Sequence, residues 1–128
     1  MNFLLDTHVF LWWINGDSLP PLATAAIRNR DHVVWLSAAS AWEITIKTSL
    51  GKLRLADRAA RFIETQLQKN DFGWLPIDAD ALDLLQDLPF HHRDPFDRLL
   101  IAQAISHGYS LISADRIFDQ YPVKNLWL

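Results

Sequence analysis

The chain has 128 residues, a formal net charge of −3 and no cysteine, and 50% of its residues are apolar. This length and composition predict one packed domain over residues 1–128, and they exclude a disordered chain, a disulfide framework and a thiolate zinc site. The negative charge also excludes a general binder of polyanions. Any contact with nucleic acid must therefore come from a local basic patch or through metal ions.

The start of the chain and its apolar runs bear on where the protein resides. Met1 leads directly into an apolar segment, without a basic leader or a cleavage site. No apolar run approaches the roughly 20 residues that a membrane span requires. We therefore expect a cytoplasmic protein that does not enter the membrane.

Strand-like and helix-like segments alternate along the chain. Short apolar segments predict four strands and a possible fifth at 2–6, 33–37, 73–77, 109–113 and 124–128. The segments between them predict helices at 8–14, 20–30, 38–50, 58–69, 78–87 and 95–107. In the helix 38–50, apolar Trp42, Ile46 and Leu50 recur four apart, as on one apolar face. This alternation predicts a three-layer α/β/α sandwich around a parallel sheet of four to five strands.

Four acidic residues lie where strand-like segments run out into helices, namely Asp6, Glu43, Asp97 and Asp115. The carboxyl ends of the strands in an open α/β sheet share one crevice, so these acids can converge there. Two carboxylates about 5 Å apart repel by roughly 3 kcal/mol at an effective dielectric constant near 20. A divalent cation relieves that repulsion, and hard oxygen ligands without cysteine indicate Mg²⁺ or Mn²⁺.

Each acid also has a purely structural interpretation as a helix cap. Ser40 and Glu43 match a capping box, although Ser37 as the true N-cap would leave Glu43 facing the crevice. Serine, threonine or asparagine caps equally well, so aspartate at three strand ends exceeds what capping requires. Asp94 is different, because Pro95 at the first helical position makes a capping role sufficient for it.

The segments around these acids resemble the PIN-domain proteins, specifically the VapC-like toxins of bacterial toxin–antitoxin pairs. The resemblance rests on four motifs in order: LLDTH at 4–8, SAASAWEI at 37–44 with Lys47 and GKL at 51–53, HRDPFDRLLIAQA at 92–104, and LISAD at 111–115. It implies that Asp6, Glu43, Asp97 and Asp115 form the family's acidic quartet, accompanied by the hydroxyls of Thr7 and Ser113. It also implies a metal-dependent endoribonuclease whose partner is an antitoxin.

Phosphodiester hydrolysis fits these residues, because it needs a hydroxide near neutral pH and neutralisation of charge on the phosphate, which Mg²⁺ ions supply. We expect Asp6 and Asp97 to ligate the principal metal. Glu43 and Asp115 would act through water, complete a second metal site or orient the attacking water. Thr7 and Ser113 would position a carboxylate or a metal-bound water.

Several basic residues are candidates for contact with the RNA backbone, namely Lys47, Lys52, Arg93 and Arg98. The alternative for the lysines is a solvated helix face, and Arg98 could instead pair with a neighbouring acid. His91 and His92 invite a metal interpretation as well. Adjacent side chains point apart, however, so an ordinary loop is the favoured interpretation.

The predicted first helix is apolar on all sides, which indicates a partner-binding surface. Its residues Phe10, Trp12 and Trp13 are candidates for contact with an antitoxin segment, and self-association into a homodimer is a second use for apolar surface. The alternative is that the second helix folds over both tryptophans and hides them.

Two other functions remain open from the sequence. A Mg²⁺-dependent phosphatase or phosphotransferase would use one aspartate as a nucleophile. A non-catalytic binding module could have the same fold, since a fold alone does not establish a function. The first requires a lysine placed to neutralise a phosphoaspartate, and retention of all four acids disfavours the second.

Overall fold

This computed structural model describes residues 1–127. Alternating side chains along its strands pack into two apolar layers. The strands are β1 (Asn2–Leu5), β2 (Val33–Ser37), β3 (Gly73–Leu75) and β4 (Ser110–Ile112). All pairs are parallel, and the order across the sheet is β3-β2-β1-β4. In the register, Phe3 lies opposite Val34 on one side and Ser110 on the other.

Within residues 1–127, six helices connect and cover the strands. They are α1 (Thr7–Ile14), α2 (Pro21–Arg28), α3 (Ala38–Ser49), α4 (Ala59–Asn70), α5 (Ala79–Gln86) and α6 (Pro95–His107). A 3₁₀ helix follows β4 at Arg116–Gln120. The predicted fifth strand is reduced to one parallel bridge between Leu111 and Asn125, and residue 128 lies outside the described residues.

The two faces of the sheet carry separate apolar cores. Phe3 and Leu5 pack in a cluster with residues of α1, α2 and α4. Leu4 and Leu111 pack in the other cluster, with residues of α6 and the aromatic residues Phe118 and Tyr121. Period-two alternation along a strand and helices on both faces produce three layers, so the predicted α/β/α sandwich is confirmed.

The first helix is more deeply packed than its composition indicates. Phe10 is fully buried, which corrects its prediction as a partner-binding residue. Trp13 is half-buried, because its indole nitrogen donates to Asn70 Oδ1 at 3.1 Å and the Arg28 guanidinium lies 5.6 Å from its ring centroid. Helices α2 and α4 therefore cover Trp13 in part. Trp12 packs against Trp127, with their ring centroids 6.0 Å apart.

Helix α3 turns a different face inward from the one its apolar spacing indicates. Trp42 and Leu50 are 57% and 62% exposed, whereas Ser40, Glu43 and Ile44 are buried. The polar members of that buried face lie at the carboxyl end of the sheet. No helix of residues 1–127 is long and apolar enough to cross a membrane.

Candidate active site

A crevice lies at the carboxyl ends of the neighbouring strands β1 and β4. The connections that follow these two strands run in opposite directions. Strand β1 lies between β2 and β4, so this is the topological switch point at which α/β sheets bind ligands. Asp6 follows β1, and its backbone N–H extends the ladder by donating to Ile112 O at 3.0 Å. Ser113 follows β4 and donates from Oγ to Asp6 Oδ2 at 2.8 Å. The carboxylate of Asp6 is thereby held across both strand ends.

Glu43 enters the crevice from the second turn of α3. The helix begins at Ser37, whose side chain caps it by accepting from Ala39 N at 2.9 Å, so Glu43 is not needed as part of a cap. Lys47 Nζ lies 3.0 Å from Glu43 Oε2. The Thr7 hydroxyl donates to Ser40 Oγ at 2.8 Å. That bond ties the start of α1 to the helix that carries Glu43.

Among residues 1–127, two carboxylate oxygens in this crevice are buried without a hydrogen-bond partner, Asp6 Oδ1 and Glu43 Oε1. Asp6 is 5% exposed and Glu43 is 6% exposed, so bulk water does not compensate for the missing bonds. An unpaired buried carboxylate oxygen is costly, and such oxygens are found where a cation coordinates them. The crevice therefore offers unpaired carboxylate oxygens to a cation.

Asp97 reaches the crevice from the first turn of α6. Asp94 caps that helix, because its Oδ1 accepts from Phe96 N and Asp97 N, both at 2.9 Å. His92 donates from Nε2 to Asp97 Oδ2 at 2.8 Å. Asp115 is exposed; its N–H donates to Ser113 Oγ at 3.0 Å. One ligand atom each of His92, Asp97 and Asp115 lie within 4.8 Å of one another.

The pKa values show that the acids interact electrostatically. Burial raises the pKa of Asp97 from 3.8 to about 6, the His92 hydrogen bond opposes this, and the negative charges of Asp6 and Asp94 add to it. Burial also raises the pKa of Asp6, the Ser113 hydrogen bond opposes it, and the charge of Glu43 adds to it. Three carboxylates therefore share a partly desolvated space, which a bound cation would neutralise.

The predicted basic contacts divide into two kinds. Lys47 is paired with Glu43, while Lys52 and Arg93 are exposed. Arg98 is 5% exposed, and its guanidinium donates to backbone carbonyls, including Leu88 O at 3.0 Å. The prediction that Arg98 contacts RNA is therefore corrected, because this guanidinium is buried and its donors hold a loop.

Two residues next to the acids make contacts that their sequence context did not indicate. His92 contacts Asp97 directly, although the adjacent His91 does point elsewhere and lies edge-on to Tyr121 with centroids 5.0 Å apart. Trp42 is exposed at the rim of the crevice, edge-on to Phe96 at 5.1 Å between centroids. The adjacent histidines in the sequence were a signal for the role of His92. Nothing in the apolar spacing distinguished Trp42 from a core residue.

The fold and this crevice define a member of the PIN domain family, because the family model matches residues 3–124. The resemblance seen in the sequence is thus confirmed, and the chain belongs to this family. It is 32% identical over 117 residues to the Ribonuclease VapC22 of Mycobacterium tuberculosis (strain ATCC 25618 / H37Rv), covering 88% of this chain and 86% of the relative.

Solved structures share the fold at lower identity. VapBC2 from Rickettsia felis, bound to a DNA fragment from its promoter, has a TM-score of 0.76 at 14% identity and covers 100% of both chains. DNA-bound VapBC from Salmonella typhimurium has a TM-score of 0.73 at 18% identity, covering 98% of this chain and 97% of that one. VapBC-5 from Mycobacterium tuberculosis, a member of the VapBC family of toxin–antitoxin systems, has a TM-score of 0.62 at 22% identity, covering 99% and 98%.

Proposed function

We propose that this chain is the toxin of a type II toxin–antitoxin pair, a metal-dependent endoribonuclease that hydrolyses RNA phosphodiester bonds. The observation that carries the proposal is the pair of buried, unpartnered oxygens on Asp6 and Glu43, beside Asp97 in the switch-point crevice. The 32% identical relative is named a ribonuclease, which supports the same chemistry.

The donor set of the crevice fits Mg²⁺ or Mn²⁺, since it offers carboxylate oxygens and no thiolate. In this proposal Asp6 and Asp97 are the direct ligands. Glu43 and Asp115 complete a second position or hold the attacking water. When bound, the cation lowers the pKa of water and neutralises charge that develops on the phosphate oxygens.

The residues around the acids orient them. Ser113 fixes one Asp6 oxygen by its 2.8 Å bond, which leaves the other to face a ligand. Thr7 acts through Ser40 and fixes the relative position of α1 and α3. Lys47 is placed beside Glu43 at the rim, where its ammonium can meet an RNA phosphate. Exposed Lys52 and Arg93 would extend that contact along the backbone.

Cleavage of fluorophore-labelled structured RNAs tests this function. We expect cleavage with Mg²⁺ or Mn²⁺, none in excess chelator, and a loss of at least about 100-fold in Asp6→Asn and Asp97→Asn, since a lost ligand removes several kcal/mol of transition-state stabilisation. Asp119→Asn is the matched control, because it removes an equal charge from an exposed position on the 3₁₀ helix. Undiminished cleavage by folded Asp97→Asn would refute the assignment.

The partner in this proposal is a cognate antitoxin. Solved structures of the same fold are toxin–antitoxin assemblies. A groove of about 460 Å³ lies between α1, α4 and the turn after α3, with Trp12, Leu55 and Phe62 among its apolar lining residues. An amphipathic antitoxin helix fits such a groove. Trp12→Glu should abolish antitoxin binding and leave RNA cleavage intact; a folded variant that binds antitoxin as tightly as the parent would refute this surface.

Self-association is the second use of apolar surface in the proposal. The exposed Trp42 and Trp74 line another groove of about 490 Å³ between α3 and α4. We expect a homodimer by light scattering, converted to a monomer by Trp74→Glu. A monomer at all concentrations would refute it.

A further inference from the structure

We propose that His92 is a nitrogen ligand in a second cation position, formed with Asp97 and Asp115, and that it makes this position prefer Mn²⁺ to Mg²⁺. The inference rests on the proposed function and deepens it, because it adds a residue from outside the acidic quartet. It also states which metal the site selects.

The imidazole of His92 lies close to carboxylate oxygens of Asp97 and Asp115. Its Nε2 lies 2.8 Å from Asp97 Oδ2, and one carboxylate oxygen of Asp115 completes a triangle with sides of no more than 4.8 Å. Donors that bind one ion at about 2.1 Å lie at most about 4.2 Å apart, so a small movement of the exposed Asp115 side chain would bring all three donors onto one ion. When the His92 imidazole is protonated at Nδ1, the lone pair on Nε2 is available to a cation. The bond from Nε2 to the cation then replaces the hydrogen bond from Nε2 to Asp97.

Several hydrogen bonds hold the loop that carries His92 in place. His92 N donates to Tyr121 Oη at 3.0 Å, and that hydroxyl donates in turn to Pro89 O at 2.9 Å. Arg98 donates to Leu88 O at 3.0 Å, to Pro89 O at 2.8 Å and to His92 O at 3.4 Å. Arg98 follows Asp97 directly in α6, so this buried guanidinium ties the histidine loop to the helix of the shared carboxylate.

Among residues 1–127, two unpartnered carboxylate oxygens near this triangle support a cation position beside it. Asp6 Oδ1 and Glu43 Oε1 are buried and without hydrogen-bond partners, and Asp6 is close enough to raise the pKa of Asp97. The two oxygens of Asp97 can bridge a position on the Asp6 side and a position on the His92 side. Paired metals in nucleases lie about 3.5–4 Å apart, a separation that one bridging carboxylate spans.

The donor chemistry distinguishes the two positions. The Asp6 side offers oxygen donors only, which suit Mg²⁺ and Mn²⁺ alike. An imidazole nitrogen is a softer donor that Mg²⁺ accepts poorly and that first-row transition metals accept well. The His92 position is therefore expected to discriminate between the two metals.

Pulsed electron paramagnetic resonance of Mn²⁺ bound to the full-length protein tests the assignment. We expect echo modulation from an imidazole nitrogen in the parent, with the isotope change expected when histidine is labelled with ¹⁵N. His92→Gln should lose that modulation while retaining a side chain that can bond to Asp97. His91→Gln and His8→Gln are the matched controls, and both should keep it.

Competition titrations provide a second readout. Loss of an outer-shell partner typically costs 10–100-fold in metal affinity, so we expect at least about a tenfold loss in Mn²⁺ affinity at this position for His92→Gln. Mg²⁺ affinity should change much less. Equal losses for both metals would make His92 a positioning residue and overturn the proposal.

The outcomes separate this inference from the function it rests on. Mn²⁺ that binds with dependence on Asp6 and Asp97 but without imidazole coupling in the labelled parent overturns the role of His92 alone. Mn²⁺ binding that is absent, or unaffected by Asp6→Asn and Asp97→Asn, overturns the proposed function as well. The isotope measurement on the parent and on the His8→Gln and His91→Gln controls tests the proposal even if a His92 variant does not fold, because absent imidazole coupling in the parent, or its loss in either control, overturns the role of His92.

Discussion

Replacing Asp97 with asparagine should stabilise the metal-free protein, and the gain should grow as the pH rises. The folded state raises the pKa of Asp97 from 3.8 to about 6, chiefly through burial. A carboxyl whose pKa is raised on folding contributes stability that is fully present below pH 3.8. That contribution is lost as the pH rises through about 6, because the folded state resists ionisation.

The magnitude follows from the two pKa values. The interval from 3.8 to about 6, at 1.36 kcal/mol per pH unit, corresponds to about 3 kcal/mol. The Asp97 side chain is 19% exposed, so solvent screening makes this an upper bound. Asparagine keeps the shape of the side chain and can still accept from His92, but it carries no charge.

Urea unfolding in the presence of chelator, from pH 4.5 to 7.5, measures the effect. We expect the free energy of unfolding of Asp97→Asn to gain about 2 kcal/mol on the parent across this range. Saturating Mg²⁺ at pH 7.5 should reverse the order, because the cation stabilises the state that binds it. A difference that is flat with pH, or a parent that gains on the variant, would refute the desolvation argument.

Three further outcomes test particular contacts. Ser113→Ala should weaken Mn²⁺ binding by roughly tenfold in a fluorescence titration, because Asp6 loses the bond that orients it. Arg98→Lys should lower the free energy of unfolding by about 2 kcal/mol, since an ammonium cannot reproduce a forked set of bonds to carbonyls. RNA affinity of that variant in chelator should equal the parent's. Phe10→Ala should cost about 3–5 kcal/mol and Trp42→Ala less than about 1 kcal/mol by thermal unfolding, because only the first side chain fills the core.

The sheet and the position of Asp6 could be predicted because both depend on local pattern. Apolar runs of four or five residues mark β1 and β2, and an acid directly after β1 must emerge at the carboxyl end of the sheet. The N-cap at Ser37 was also predictable, and it places Glu43 on the second turn of α3. These inferences need no knowledge of which helix packs where.

The face of α3 could not be predicted in this way. Apolar spacing favours burial of Trp42 and Leu50, but the helix buries Ser40 and Glu43 instead. The hydrogen bond from Thr7 to Ser40 and the ion pair of Glu43 with Lys47 hold that polar face inward. The polar crevice thus overrides hydrophobic periodicity, and the displaced apolar stripe is left on the surface.

The first turn of α6 explains why a crevice so rich in negative charge is well defined. Asp94 fixes where the helix begins, and this places Asp97 in the first turn, where its carboxylate contacts His92. Arg98 projects from the same turn into the loop that precedes the helix, and it holds the carbonyl of His92. The loop therefore places the His92 imidazole against the carboxylate of Asp97. Asp97 directly precedes Arg98, the residue that anchors the loop. Because one helical turn sets the cap, the acid and the loop anchor together, a change at Asp94 or Arg98 should alter metal binding as well as the stability of the fold.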